Sequence, residues 1–234
     1  MRFSKLISLF LHPLFMPIFV IFLSIQYVEH IHFIFSSSPY AHYIYLATLV
    51  FTFILPLLTF FYFLRVKKID SFEMTSKEER DKPLLATIII ILIGSPVFFA
   101  ASKLMPVLSI IYISSLIILI VAYLVTKFWK ISLHMLSIGG ASGTLIALNY
   151  MYGGVYYLTI SFILLSGLLG YARLAEDAHT PSQVYVGYIL GFVIQINCVI
   201  NYNLITSTIS IFLSSIASML YTDCFLSLGL SLTF

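Results

Sequence analysis

The sequence is built mainly from apolar runs of about 20 residues, separated by short polar loops. The first run extends from Leu6 to Ile25, and equally apolar runs follow along the chain. A run of this length crosses the hydrocarbon core of a bilayer as an α-helix. Charged residues make up only 9% of the chain and hydrophobic residues 61%, whereas soluble domains carry about 25% charged residues. The chain lacks the polar surface of a soluble protein and is predicted to be an all-α integral membrane protein.

Hydropathy predicts a polytopic bundle of six to eight transmembrane helices in a single domain over 1–234. The tail 204–234 is rich in Ser and Leu and contains Asp223, so an eighth span within 206–234 is left open. The first run is not followed by a small-residue cleavage site, and we expect a retained span rather than a signal peptide. The seven predicted spans are 6–26, 43–64, 84–102, 106–126, 134–151, 155–172 and 183–203.

Small residues recur at the spacing that brings membrane helices close together. They are Gly187 and Gly191 in GYILG and the run GGASG at 139–143. Small side chains let helix backbones approach closely, so we expect tight helix pairs here. The same faces could join two copies in a homo-oligomer. Cys198 and Cys224 lie in apolar segments without a CxxC spacing and are interpreted as packing residues.

Three charged loops are predicted to lie on one side of the membrane. They are RVKKIDSFEMTSKEERDKP (65–83), KFWKISLH (127–134) and ARLAEDAHTPSQ (172–183). Two crossings separate each loop from the next, so all three face the same way. Ionisable groups near a bilayer tend to turn toward a shared cavity, and a common site is the default expectation. Alternatively the loops are simply cytoplasmic, where Lys and Arg accumulate. That alternative is preferred for Arg65, Lys67 and Lys68.

The third loop has the features of an anion site. Thr180, Pro181 and Gln183 read as the N-cap, first position and N3 of a helix, which is a capping box. His179 would then stand at a helix N-terminus, where free amides and the helix dipole favour anions. Arg173 adds a planar cation that fits phosphate. The alternative is that Arg173 pairs with Glu176 or Asp177 at helical spacing, with His179 as an interfacial residue.

The other two loops add residues of the same kind. Lys130, Ser132 and His134 lie at the start of the fifth span, and His134 would enter the same side of the membrane as His179. Two histidines allow the nucleophile and the general acid to be different residues. A lone His134 would be interpreted as interfacial, so a catalytic role depends on the pair. The first loop contributes a cationic set suited to phosphate oxygens, namely Lys77, Arg80 and Lys82.

These segments resemble the three motifs of the PAP2 (type 2 phosphatidic acid phosphatase) superfamily, over roughly 65–192. The stretch from Arg173 through His179 to Gln183 is similar to S-R-x5-H-x3-D, KISLHMLSIGG resembles P-S-G-H through Ser132 and His134, and SKEERDKP loosely resembles K-x6-R-P. The departures are Ala172 for Ser, Gln183 for Asp, S-L-H for P-S-G-H, and Lys82 before Pro83 where Arg is expected.

The resemblance implies a metal-independent phosphatase that uses no cofactor and acts on a lipid phosphate. It implies that His179 attacks phosphorus to form a phosphohistidine, that His134 protonates the leaving alcohol, and that Arg173 with the first-loop cations binds the oxygens. Gln183, or Asp177 in its place, would orient the nucleophile. Because an amide replaces the family's carboxylate, a catalytically weak or inactive PAP2-like protein that binds or transports lipid phosphates is the alternative.

Other classes of function fit the sequence less well. A metal hydrolase could use His134, His179, Asp177 and Glu176 as ligands, but no HExxH or similar spacing is present. A net charge of +3 without a basic stripe argues against a nucleic-acid partner. Phosphatidate, phosphatidylglycerophosphate and a polyprenyl diphosphate are all compatible with these motifs.

The charge distribution predicts which side the three loops face. Of the 12 Lys and Arg residues, all but Lys103 fall on the side of these loops. The positive-inside rule therefore places that side and the N-terminus in the cytoplasm, with the inner membrane of a bacterium as the expected location. Bacterial members of the resembled family usually act on the outer face, so the two expectations conflict. Six of these cations have no place in the motifs, so the charge bias stands without the resemblance and favours the cytoplasmic side.

Overall fold

A computed structural model describes residues 3–39, 41–71, 74, 76–102, 105–208 and 211. Every regular element among them is helical, and six helical segments are long and apolar enough to cross a membrane. The predicted all-α polytopic membrane protein is therefore confirmed. The α-helices are α1 (Phe3–Phe10), α2 (Met16–Tyr27), α3 (Glu29–Ser36), α4 (Ala41–Thr48), α5 (Leu55–Arg65), α6 (Glu78–Ala101), α7 (Pro106–Phe128), α8 (Leu133–Tyr152), α9 (Tyr156–Ala175) and α10 (Pro181–Ile200).

Helix α8 forms the centre of the bundle. It is not among the six most apolar segments, although the sequence predicts a span at 134–151. Protein rather than lipid surrounds it, since Gly139, Gly140, Ala141, Ser142 and Gly143 are all buried. A helix enclosed by its neighbours does not need an apolar surface all round, which explains its lower hydropathy. Its 20 residues extend about 30 Å, enough to cross the bilayer core.

Helices α8 and α10 run parallel in close backbone contact, as their glycines predict. A Cβ atom added at Gly187 would lie 2.9 Å from the carbonyl oxygen of Ser132, and one at Gly143 would lie 2.6 Å from that of Phe192. Contacts advance along both helices in the same direction, so the two helices begin at the same end of the bundle. Helix α9 connects the two and must run in the opposite direction. Because α9 and α10 are both candidate spans, α8 must cross the membrane as well.

Prolines divide the first two spans. The first is broken between α1 and α2, where His12 is extended before Pro13 and a short 3-10 turn, Pro13–Phe15, leads into α2. A residue that precedes proline avoids the helical conformation. In the second span a π-helical stretch, Leu49–Ile54, joins α4 to α5 just before Pro56. Because Pro56 has no amide hydrogen, it cannot continue a regular α-helical ladder there.

Most helix ends differ from the predicted spans by a few residues, and two differences are larger. The segment 27–42, expected to be a loop, contains α3. Helix α6 begins at Glu78 rather than 84, because Glu78, Glu79 and Asp81 occupy its first turn and acidic groups stabilise a helix N-terminus. Of the possible eighth span, only 206–208 and 211 are described. Cys224 and Lys103 also lie outside the described residues.

Candidate functional site

Helices α8 and α10 begin side by side at one end of the bundle, here called the polar end. Ser132 caps α8, and its backbone amide donates to the Gln183 carbonyl in the first turn of α10 (3.4 Å). The capping box predicted for α10 is present: the Gln183 amide donates to Thr180 Oγ1 (3.4 Å) and the Thr180 amide donates to Gln183 Oε1 (3.2 Å). Two helix N-termini with their positive dipole ends therefore meet at the polar end.

A cavity of about 140 Å³ opens beside these N-termini. At the polar end its wall contains His134, Arg173 and His179, together with Arg80 from α6 and His12 from the break between α1 and α2. Further into the bundle the lining is mainly apolar and includes Ile91, Ile111, Ile118, Leu119 and Ala141. The cavity thus joins a cationic, histidine-rich mouth to a mainly apolar interior.

The hydrogen bonds of His179 determine which of its ring nitrogens carries the proton. Nδ1 lies 3.0 Å from Gln183 Oε1, which also accepts the backbone amide of Thr180. A backbone amide can only donate, so the Gln183 atom in this position is the oxygen, and Nδ1 of His179 must be the protonated nitrogen. In the neutral ring Nε2 then holds the lone pair. Within the described chain, Nε2 has no hydrogen-bond partner, as a nucleophile requires.

The surroundings of His179 keep this ring neutral. The side chain is buried, and burial lowers the pKa of the imidazole to about 4. The hydrogen bond to Gln183 opposes this shift, while the positive charges of Arg80, Arg173 and Lys130 lower the pKa further. At neutral pH the lone pair on Nε2 is therefore available.

Arg173 is held by a buried ion pair at the end of α9. Its Nη1 donates to Glu176 Oε2 at 2.8 Å, and the side chains are 4% and 7% exposed. The same carboxylate accepts from the hydroxyl of Ser8 on α1, at 3.2 and 3.3 Å. The pairing of Arg173 with Glu176, one of the sequence alternatives, is therefore real. It coexists with a position in the cavity wall, because a guanidinium has five N–H donors.

Arg80 is the cation that α6 brings to the cavity. It is 3% exposed, its Nε donates to the Met74 carbonyl (3.1 Å) and its Nη1 to the Ile131 carbonyl (2.8 Å). These bonds tie the first charged loop to the second. The backbone carbonyls fix the direction of the guanidinium without neutralising its charge, so Arg80 and Arg173 both bring positive charge to the cavity.

His134 lies in the first turn of α8 and contacts α1. Its Nε2 is 3.1 Å from the Ser8 carbonyl oxygen, so Nε2 carries the hydrogen. Its ring meets that of His12 edge-on, with 5.2 Å between ring centroids. In the neutral ring Nδ1 holds the lone pair, and protonation there would make His134 a donor on both nitrogens.

The remaining predicted site residues do not line the cavity. Lys130 donates to the Ala178 carbonyl (3.1 Å), which joins the second loop to the third, and Lys77 reaches the Lys127 carbonyl (3.5 Å). Ser132 is buried in its capping role, whereas Lys82 and Asp177 are exposed. Asp177 has a positive φ of 50° in the turn after α9. The structure thus brings Arg80, His134, Arg173 and His179 to the cavity and leaves these five residues, together with Gln183, around it.

Two residues of the cavity were missed from the sequence. His12 lies within the first span and Gln195 within the last, and an ionisable or amide group inside an apolar span is itself a signal of function. Gln195 Nε2 donates to the Ile111 carbonyl (3.4 Å), while its buried Oε1 has no partner among the described residues. Among the described residues, no group of three or more His, Cys, Asp or Glu side chains is placed to hold a metal ion.

Comparison of the chain with protein-family models, with curated proteins and with solved structures finds no match.

Proposed function

We propose that this integral membrane protein is a phosphatase that hydrolyses a lipid phosphate through a phosphohistidine on His179. The observation that carries the proposal is the neutral, buried His179, whose Nε2 lone pair is uncommitted among the described residues while Gln183 holds Nδ1. Arg80 and Arg173 line the same cavity and supply the charge that phosphoryl transfer needs. The apolar interior of the cavity suits the lipid portion of the substrate.

The proposed hydrolysis proceeds in two steps. His179 Nε2 attacks phosphorus as the bond to the alcohol oxygen breaks, giving a phosphohistidine and an alcohol that has taken up a proton. Water then attacks the phosphohistidine, loses a proton to a base and releases inorganic phosphate, which restores the neutral ring. The two guanidinium groups stabilise the negative oxygens in both transition states. Gln183 keeps the proton on Nδ1 so that Nε2 faces the phosphorus.

His134 is the proposed proton carrier. The Ser8 carbonyl holds its Nε2–H, so the transferable proton is the one on Nδ1 of the imidazolium. His134 gives this proton to the leaving alcohol in the first step and receives one from water in the second. The contact with Ser8 orients the ring in both protonation states, since Nε2 stays protonated throughout.

A second candidate is a protein that binds or transports lipid phosphates without hydrolysing them. Two observations favour it. An amide, Gln183, stands where a carboxylate would stabilise the imidazolium, and Glu176 offsets part of the positive charge of Arg173. Both features permit anion binding but weaken turnover, so phosphate release separates the two candidates.

The proposed location is a bacterial inner membrane with the polar end in the cytoplasm, as the Lys and Arg bias indicates. Single cysteines at Ser71, in the loop after α5, and at Ser37, after α3, test this in a variant that lacks Cys198 and Cys224. In intact cells a membrane-impermeant thiol reagent is expected to label the Ser37 position and not the Ser71 position. The reverse pattern would return the polar end to the outer face.

Phosphate release in the presence of EDTA tests the activity. Purified protein in mixed micelles is expected to release phosphate from phosphatidate or another lipid phosphate, and His179→Asn is expected to abolish release. Asparagine can donate to Gln183 as Nδ1 does but has no Nε2 atom, so the variant removes the nucleophile and keeps the hydrogen bond. Equal release by the variant would remove His179 from its role, and loss of release in EDTA would indicate a metal enzyme.

A further inference from the structure

His12 is the third histidine of the cavity, and the proposed phosphatase mechanism does not use it. It lies in the break between α1 and α2, on a different chain segment from the loops that the motifs single out. Pro13 keeps His12 extended, with φ −67° and ψ 142°, because the residue before a proline avoids the helical conformation. This backbone turns the His12 ring toward the first turn of α8, where it meets His134 at a centroid distance of 5.2 Å.

One nitrogen of His12 is committed to the backbone. Nδ1 accepts the amide of Leu14 at 3.3 Å, which caps the short 3-10 turn. An accepting Nδ1 has no hydrogen, so the neutral ring carries its proton on Nε2. If Nδ1 were protonated, its N–H would face the Leu14 N–H and the capping hydrogen bond would be lost. The cap therefore favours the neutral His12 ring, with its hydrogen on Nε2. In the part of the chain that the structure describes, Nε2–H has no hydrogen-bond acceptor.

The three histidines therefore differ in what they offer the cavity. His179 presents a lone pair on Nε2, and neutral His134 presents a lone pair on Nδ1. Only neutral His12 presents an N–H donor. His12 is also joined to the arginine side of the cavity by adjacent contacts: His134 donates to the Ser8 carbonyl, and the Ser8 hydroxyl donates to Glu176, the partner of Arg173.

We propose that His12 is a phosphate-binding residue, whose Nε2–H donates a hydrogen bond to an oxygen of the phosphoryl group bound between Arg80 and Arg173. The inference rests on the proposed function only in that it assumes a phosphoryl group in the cavity. A neutral donor binds this group without adding positive charge beside His134, which must itself become an imidazolium to deliver its proton. The first span thus contributes to a site that the sequence assigned to three loops.

Two variants of His12 separate the two ring nitrogens. Asparagine places an amide oxygen near the position of Nδ1, so His12→Asn keeps the cap on Leu14 and deletes the Nε2 donor. Glutamine places an amide nitrogen near the position of Nε2, so His12→Gln keeps the donor and loses the cap. A purely structural role predicts that His12→Gln is the damaged variant. A binding role predicts that His12→Asn is.

The probe is dodecylphosphonate, which carries a phosphate-like group that cannot be hydrolysed, titrated against the full-length protein in detergent micelles by calorimetry. We expect His12→Asn to weaken binding about ten- to a hundredfold, the loss of one hydrogen bond to a charged acceptor. It should melt close to the wild-type temperature. His12→Gln should bind within about threefold of wild type and melt at a lower temperature.

The binding and phosphate-release results distinguish the role of His12 from the anion site and from the phosphatase activity. Wild-type affinity in His12→Asn, or equal losses in both variants, overturns the role of His12 while the anion site stands. Absence of probe binding by the wild-type protein overturns the anion site, and with it both the proposed function and this inference. Probe binding without phosphate release from a lipid phosphate overturns the phosphatase, and the His12 comparison is then still decided by the affinities.

Discussion

The close contact of α8 and α10 makes a quantitative prediction for Gly191→Ala. A Cβ atom at this position would lie 2.9 Å from the carbonyl carbon of Leu136 and 3.0 Å from the amide nitrogen of Gly140, and closer still to the Leu136 oxygen. These atoms belong to the backbone of α8 and cannot rotate away. The helices must move apart, and overpacking of this kind costs about 1–3 kcal/mol or more.

The control is Gly167→Ala on α9, where an added Cβ meets no atom within 4 Å. There the substitution is expected to be neutral or stabilising by up to about 1 kcal/mol, because alanine favours a helix over glycine. The two variants should therefore differ by roughly 3 kcal/mol in the free energy of unfolding. For a chain of this size that corresponds to a difference of about 6–12 °C in melting temperature.

Thermal unfolding in detergent measures this difference directly. Gly191→Ala should also weaken binding of dodecylphosphonate, because separating α8 from α10 moves His134 relative to His179 at the N-termini of these helices. Equal melting temperatures for Gly191→Ala and Gly167→Ala would refute the parallel α8–α10 contact, and with it the placement of the two histidines in one cavity.

Three further predictions concern the charged groups of the cavity. The proposed phosphatase activity should be lost as the pH falls through about 4, because protonation of His179 removes the lone pair. It should also decline at higher pH, where His134 no longer carries the proton that it gives to the leaving alcohol. A pH profile of kcat/KM checks this, and an acid limb near 6.5 would contradict it. Gln183→Glu keeps both accepted hydrogen bonds and adds a charge that stabilises the imidazolium, so this acid limb should move to higher pH; an unchanged limb would mean that Gln183 acts only as a helix cap. Glu176→Gln removes the carboxylate that is paired with the buried Arg173 and should lower the free energy of unfolding by about 3–5 kcal/mol. Thermal unfolding measures this against Ser8→Ala, which removes only the hydroxyl bonds to the same carboxylate and should cost less.

The sequence predicts the helices well because lipid imposes a simple requirement on them. A span must be about 20 residues long and apolar where it meets lipid, and the predicted spans agree with the helices to within a few residues at most ends. The capping box at Thr180 and Gln183 was equally predictable, since it depends on residues three positions apart. Helix α8 shows the limit of hydropathy: it packs in the centre of the bundle and is less apolar than the helices around it.

The site was harder to predict, because loop charge and cavity lining are different properties. Lys77 precedes α6, Lys82 lies near the start of α6 and Lys130 precedes α8. All three belong to segments expected to be charged loops, but long side chains at an interface reach backbone carbonyls or solvent instead of the cavity. Arg80 and Arg173 reach the cavity because their guanidinium groups are buried and held by fixed partners. The pattern of charges in the loops does not distinguish these two groups of cations.

His12 and Gln195 were missed for a different reason. Each lies alone within an apolar span, far in sequence from the loops, and motif spacing gives no reason to connect it with His134 or His179. Tertiary packing makes that connection, through the proline-induced break before α2 and the glycine contacts of α10. A polar group inside an apolar span is nevertheless visible in the sequence and is itself a signal of function. On that signal alone, His12 and Gln195 could have been named as candidate site residues.

The most direct test of the proposed mechanism is to trap the covalent intermediate. A lipid phosphate labelled with ³²P is mixed with excess protein, quenched in alkali, where phosphohistidine is stable, and the labelled peptide is identified by mass spectrometry. Label is expected on Nε2 of His179, removed by acid and absent from His179→Asn. Phosphate release without label on His179, or label at another residue that persists in His179→Asn, would contradict the mechanism.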